Sequence, residues 1–128
     1  MNAPVVLDTG VLIAHERRTN RRVVALLERA RLTGTTLHVP SLVWAEWLAG
    51  GPKHGFGDEG AITFEPVDHP LSLTIGEALA ALRLGSEHIV DASVMATAAS
   101  LGAVVYTGDI VDMQRMQSVF PAVRLFSI

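Results

Sequence analysis

The chain has no cysteine, which excludes disulfide bridges and thiolate metal sites and fits a cytoplasmic setting. Lysine is almost as scarce, with Lys53 the only one. No apolar run approaches the roughly 18 to 20 residues that a membrane span requires, and the N-terminus shows no basic stretch leading into a long apolar one. No internal repeat or low-complexity segment is visible. A formal net charge of −3 gives no overall bias toward nucleic acid. What is present is apolar: 49% of the 128 residues, against a charged fraction of 18%, which suits one globular domain spanning residues 1–128.

The stretch Val5-Val6-Leu7-Asp8-Thr9-Gly10 organises the rest. Three branched apolar residues suit a strand buried on both faces, as in a parallel sheet, and the run stops at a carboxylate. A second apolar patch, Val11 to Ala14, follows at once. Asp-Thr-Gly is also good turn chemistry, so the segment reads equally as a strand-to-helix turn.

Further on, Thr19-Asn20 caps a helix running to about Thr33, with Gly34 as its stop. Val23, Leu26, Leu27 and Ala30 fall at helical spacing and leave Arg22 and Arg29 outward. Thr35 to Val39 is a short β-prone run. Pro40-Ser41 opens a helix from Leu42 to Ala49 that Gly50-Gly51-Pro52 ends. Residues 50 to 60 form a glycine-rich loop, where His54 and Asp58 are better read as solvent-exposed than as metal ligands. Ala61 to Val67 resembles a third strand, and a helix starting at Pro70 carries Ile75, Leu79 and Leu82 toward Gly85. His88 to Leu101 is an alanine-rich helix ended by Gly102. Ala103 to Tyr106 is a fourth strand, a short helix reaches about Val119, and Val123 to Phe126 closes the chain. This βα alternation predicts a three-layer α/β/α fold around a mostly parallel sheet of about four to five strands.

Four acids stand out within that frame. Right-handed crossovers place the carboxyl ends of parallel strands on one edge, so Asp8 and Asp109 share it. Asp91 lies in the first turns of its helix, where an acid also suits the helix dipole. Glu46 is the lone charge in Leu42 to Ala49; an unpaired buried carboxylate costs several kcal/mol, so it must reach solvent, a cation or a metal. Its neighbours Trp44 and Trp47 read as core rather than as a base-stacking platform. Converging carboxylates repel one another unless a cation is present, and an all-carboxylate set suits Mg²⁺ or Mn²⁺ rather than zinc. Beside them lies a basic segment, with six arginines in the fifteen positions from Arg17 to Arg31. An acidic site next to a basic patch suits a metal-dependent enzyme acting on a polyanion.

The segments VVLDTGVLIA, VPSLVWAEWLAG, HIVDASVMATAASLGAVVYTGD and IVDM resemble a PIN domain, and more narrowly the VapC-type toxins of bacterial toxin–antitoxin pairs. The resemblance covers nearly the whole chain and maps the family's acids onto Asp8, Glu46, Asp91 and Asp109, with Thr107, Thr9 and Asp112 as auxiliary positions. It implies a Mg²⁺- or Mn²⁺-dependent endoribonuclease with one or two ions, acting on structured RNA such as tRNA or rRNA. It also implies a homodimer and inhibition by a VapB-type antitoxin. On this reading Arg17, Arg18, Arg21 and Arg22 contact RNA or antitoxin. Gly108 departs from the bulkier residue often found there, which bears on loop rigidity. A non-cleaving RNA- or protein-binding module on the same fold is the alternative. Aspartic proteases need a β-rich chain. Receiver domains need a later lysine after a strand, and dehalogenase-like phosphatases need a second Asp two residues after the first, where this chain has Gly10.

Overall fold

A computed structural model describes residues 2–52 and 62–128, and the glycine-rich segment with His54 and Asp58 falls almost wholly outside them. Five strands, β1 (Val5–Leu7), β2 (Leu37–Pro40), β3 (Ile62–Glu65), β4 (Val104–Thr107) and β5 (Leu125–Ser127), form one sheet in the order β3-β2-β1-β4-β5. Every pairing is parallel. Six α-helices accompany them: α1 (Thr9–Arg17), α2 (Arg21–Thr33), α3 (Ser41–Ala49), α4 (His69–Leu82), α5 (Ile89–Leu101) and α6 (Ile110–Arg115). None is long and apolar enough to cross a membrane.

The chemistry of the chain accounts for these elements. All three residues of β1 are buried although successive side chains point to opposite faces, so helices cover both sides of the central strand. Helix α2 is amphipathic: Asn20 accepts hydrogen bonds from the Arg22 and Val23 amides at its start, and Gly34 ends it in the left-handed conformation. Asp68 caps α4 in the same way, accepting from the Leu71 amide, with Pro70 in the first turn. Helix α5 differs, since Ala92 through Ala98 are all buried. It packs against α4 and against β1, β2 and β4, and its small residues let these neighbours approach closely.

Several boundaries move. The apolar patch after Asp8 is a full helix that begins directly at Thr9, because Asp8 itself is the cap. The third strand is shorter than Ala61 to Val67, ending at Glu65. The last strand lies later than Val123 to Phe126, at Leu125–Ser127, where it hydrogen-bonds to β4. The final helix breaks into α6 and a 3₁₀ turn, Met116–Ser118, that buries Met116.

Strand order positions the site. The chain runs outward from β1 through β2 to β3, then crosses back to place β4 on the other side of β1. Between the carboxyl ends of β1 and β4 the direction of winding reverses, and open α/β sheets form ligand crevices at such points. Asp8 leaves one of these strands and Gly108-Asp109 leaves the other.

The dense packing around α5 has a measurable consequence. Ala96 is 1% exposed whereas Ala99 is exposed. Ala96→Leu is expected to destabilise the protein by about 1–3 kcal/mol through overpacking, with Ala99→Leu near neutral in the same urea titration.

Candidate active site

Asp8 is the most buried acid of the group, at 6% exposure. Its Oδ1 accepts from the Val11 amide at 3.1 Å, which caps α1. Its Oδ2 accepts from the Thr107 hydroxyl and, at 3.2 Å, from the Gly108 amide. The Thr107 hydroxyl in turn accepts from the Asp109 amide at 2.8 Å. One carboxylate and one fully buried hydroxyl thus fasten the β1–α1 junction to the loop after β4. Burial raises the pKa of Asp8, opposed by its bonds from Thr107, Val11 and Gly108.

The glycines of these two loops are in contact. A Cβ at position 10 would sit 3.3 Å from the Gly108 Cα and 3.4 Å from Asp8 Oδ1, tighter than ordinary packing. A Cβ at position 108 would lie 3.5 Å from the Gly10 Cα, an ordinary contact. Gly10, rather than the unusual Gly108, is therefore the position where a side chain would have to push its neighbour back by a few tenths of an ångström.

Beside this junction, Asp91 of α5, Asp109 before α6 and Asp112 within it bring one carboxylate oxygen each to within 4.8 Å of one another. Asp112 joins because Asp109 and Asp112 are three residues apart across the first turn of α6, a spacing visible in the sequence. Arg115 lies 3.7 Å from Asp112 on the outer side. The acids repel and raise one another. Asp91 is pushed up to about 6, first by burial and then by Asp109, Asp112, Asp8 and Glu46. Asp109 is raised chiefly by its side-chain hydrogen bond with Asp112, and further by burial and the Asp112 charge.

Glu46 lies on the exposed side of α3 and bears electrostatically on Asp91. It lines a cavity of about 700 Å³ together with Arg17 and Arg18. Trp47 is buried, and half-buried Trp44 packs on it at 4.9 Å and on Phe64 at 4.8 Å, so both belong to the hydrophobic framework. Thr9 is half-buried, and its hydroxyl has no hydrogen-bond partner among the described residues. The basic segment divides. Arg17 and Arg18 flank the cavity beside Glu46, Arg22 reaches the far edge to donate to the Ser127 carbonyl at 3.1 Å, and Arg31 pairs with Glu28 at 2.7 Å. Arg21 is exposed.

The donor set consists of carboxylate oxygens only, close enough for one ion to bridge, which fits a hard divalent cation. Two consequences can be measured. Thr107→Val keeps the shape but leaves the Asp109 amide without its acceptor and takes one of Asp8's three donors; it is expected to cost about 1–3 kcal/mol in urea denaturation, with Thr107→Ser close to the parent. Asp91 holds its proton up to about 6 when folded and to 3.8 when unfolded, so its contribution to metal-free stability falls as pH rises through that window. Asp91→Asn should therefore raise the metal-free melting temperature at pH 7, by an amount equivalent to about 1–2 kcal/mol after solvent screening, and the gain should vanish near pH 4.

Comparison with known proteins adds to this geometry. Among solved structures, VapBC2 from Rickettsia felis bound to a promoter DNA fragment superposes with a TM-score of 0.74 at 18% identity, covering 97% of this chain and 98% of that one. DNA-bound VapBC from Salmonella typhimurium gives 0.71 at 19% identity, with 98% of each chain covered. A toxin–antitoxin complex from Klebsiella pneumoniae gives 0.69 at 17% identity, covering 97% of this chain and 99% of that one. At these identities the likeness is one of fold. No curated protein sequence matches. The family model described as PIN domain matches residues 5–117, which takes in all five acids at the sheet edge, and the chain belongs to that family.

Proposed function

We propose that the protein is a divalent-metal-dependent endoribonuclease of the VapC type, held in check by a VapB-type antitoxin. The observation that carries this reading is the convergence of Asp91, Asp109 and Asp112 at the crevice where β1 and β4 diverge, with Asp8 and Glu46 close enough to raise Asp91. Its support from relatives is membership of the PIN family and a fold shared with proteins whose structures are described as VapBC and toxin–antitoxin complexes. Action on tRNA or rRNA, and assembly as a homodimer in the cytoplasm, belong to the same reading through the family resemblance.

The roles follow from position. Asp91, Asp109 and Asp112 would hold the ion or ions. Asp8, fixed by Thr107 and Gly108, sets the place of the β4 loop and lends its remaining lone pairs to the same edge. Mg²⁺ or Mn²⁺ bound there would offset the acid repulsion, draw in the phosphate and make a bound water more acidic. Glu46, exposed at the rim, takes the proton of the attacking water or supports a second ion. Arg17 and Arg18, across the cavity from it, bind the flanking phosphates. The water oxygen forms the new bond to phosphorus, the bridging P–O bond breaks, and the departing oxygen takes up a proton.

The test is cleavage of total cellular RNA by the purified chain with Mn²⁺, with Mg²⁺ and with EDTA. Asp91→Asn is the preferred inactive variant, because Asp8 also caps α1 and any change there disturbs the fold. Discrete fragments that need metal, and a loss of about 100-fold or more in the variant, are expected. Full activity of Asp91→Asn would sink the assignment. RNA binding without cleavage in both proteins would favour the non-cleaving module.

A further inference from the structure

The same sheet has a second feature at its other end. Helix α2 lies over β1 on the face that carries Val5, and between α2 and the β4–β5 half of the sheet runs a cleft. Two cavities, of about 440 and 480 Å³, make it up and share Leu26, Arg29, Tyr106 and Phe126. Tyr106 and Phe126 are register partners on β4 and β5, and their rings stack with centroids 5.2 Å apart and planes 23° from parallel. Phe126 is nevertheless 40% exposed. The Arg124 guanidinium lies 5.9 Å from its centroid. Arg29 stands on the α2 wall, and Arg22 crosses the upper end to bond Ser127. Among the described residues no aspartate or glutamate lines either cavity.

We propose that this cleft binds single-stranded RNA, stacking an unpaired base on the exposed Phe126 ring beside half-buried Tyr106 and seating the neighbouring phosphates on Arg22, Arg29 and Arg124. The choice of RNA over other single strands rests on the nuclease reading above. Exposed rings flanked by guanidinium groups are what a single strand recognises, because each base offers a π-face and each phosphate a charge. A duplex hides those faces in its own stack. Three arginines without a carboxylate also set this cleft apart from a purely apolar seat for a protein helix.

Its direction supports the assignment. Ser127 pairs with Thr107, and the Ile128 amide donates to the Thr107 carbonyl at 3.0 Å. Thr107 is the residue whose hydroxyl receives the Asp109 amide. A strand lying along β5 toward its carboxyl end therefore reaches the sheet edge from which Asp109 departs. The cleft would hold RNA on one side of the cut while Arg17 and Arg18 hold the other.

The experiment measures binding apart from cleavage. Fluorescence anisotropy of a labelled oligouridylate of about 12 nucleotides, a length within the span of single-strand sites, is followed with the full chain in EDTA. Phe126→Ala should weaken binding about 5-fold or more, and Phe126→Trp should restore it, which a purely structural role for the ring would not produce. Arg29→Ala should lower the slope of log affinity against log salt by about 0.7. Melting temperatures identify any variant that fails to fold, and Arg29→Ala, at an exposed helical position, keeps the test open if Phe126→Ala does so. Unchanged binding by folded Phe126→Ala or Arg29→Ala, no binding by the parent chain, or preference for duplex RNA would overturn the proposal. Binding that follows the expected pattern without metal-dependent cleavage would keep the cleft and remove the nuclease reading. Cleavage with binding indifferent to both substitutions would do the reverse.

Discussion

The Asp8 carboxylate at the end of β1 is the contact on which the rest of the site depends. It accepts from α1, from the Thr107 hydroxyl and from the Gly108 amide, and so ties together the two strands between which the crevice opens. Desolvation works against this carboxylate and pushes its pKa up, while three donors offset that cost. Beside it Gly10 and Gly108 lie so close that a Cβ at the first would crowd the backbone of the second. Through Thr107 the same network holds the Asp109 amide, so the placement of an exposed acid is decided by a buried one.

Much of this was legible in the sequence because it depends on local chemistry. Buried parallel strands announce themselves as apolar runs, and Val5-Val6-Leu7 and Val104-Val105 read that way. Asn20 and Gly34 bound α2 where capping chemistry places them. The convergence of Asp8 and Asp109 on one edge follows from parallel strands and crossover handedness alone. Other features needed coordinates. Strand order is a property of long-range pairing, and only that order shows the crevice to lie between β1 and β4. Asp112 was visible only as an auxiliary position beside the four acids, and its place with Asp91 and Asp109 depends on how α6 meets α5. Asp8 reads as one ligand among four, whereas in the fold its first task is to accept three hydrogen bonds.

The aromatic cleft illustrates a different limit. Tyr106 sits inside a strand beside buried valines, and Phe126 lies near the chain end; nothing in their spacing links them. The sequence offers Trp44 and Trp47 instead as aromatic neighbours on one helix, and those two belong to the packing of α3 on the sheet edge. Whether a ring is core or platform depends on what covers its strand, and between α2 and β5 a cleft leaves Phe126 exposed.

The division of the arginines then has a physical meaning that a linear count hides. Arg17 and Arg18 end α1 on one side of the acid edge, while Arg22 and Arg29 sit on α2 and face β5 on the other. A net charge of −3 says that the chain as a whole repels a polyanion weakly. Locally, Arg17 and Arg18 stand on the Glu46 side of the acids, Arg22 reaches the carboxyl end of β5 on the other side, and Arg29 and Arg124 continue the basic surface down the cleft toward the amino end of the sheet. A polyanion approaching such a surface is held by the two flanks, while the acids between them exclude it until a divalent cation reverses their field. Binding and cleavage would then respond to metal separately, because the guanidinium groups keep their charge whether or not an ion is present and the carboxylates do not keep their effect.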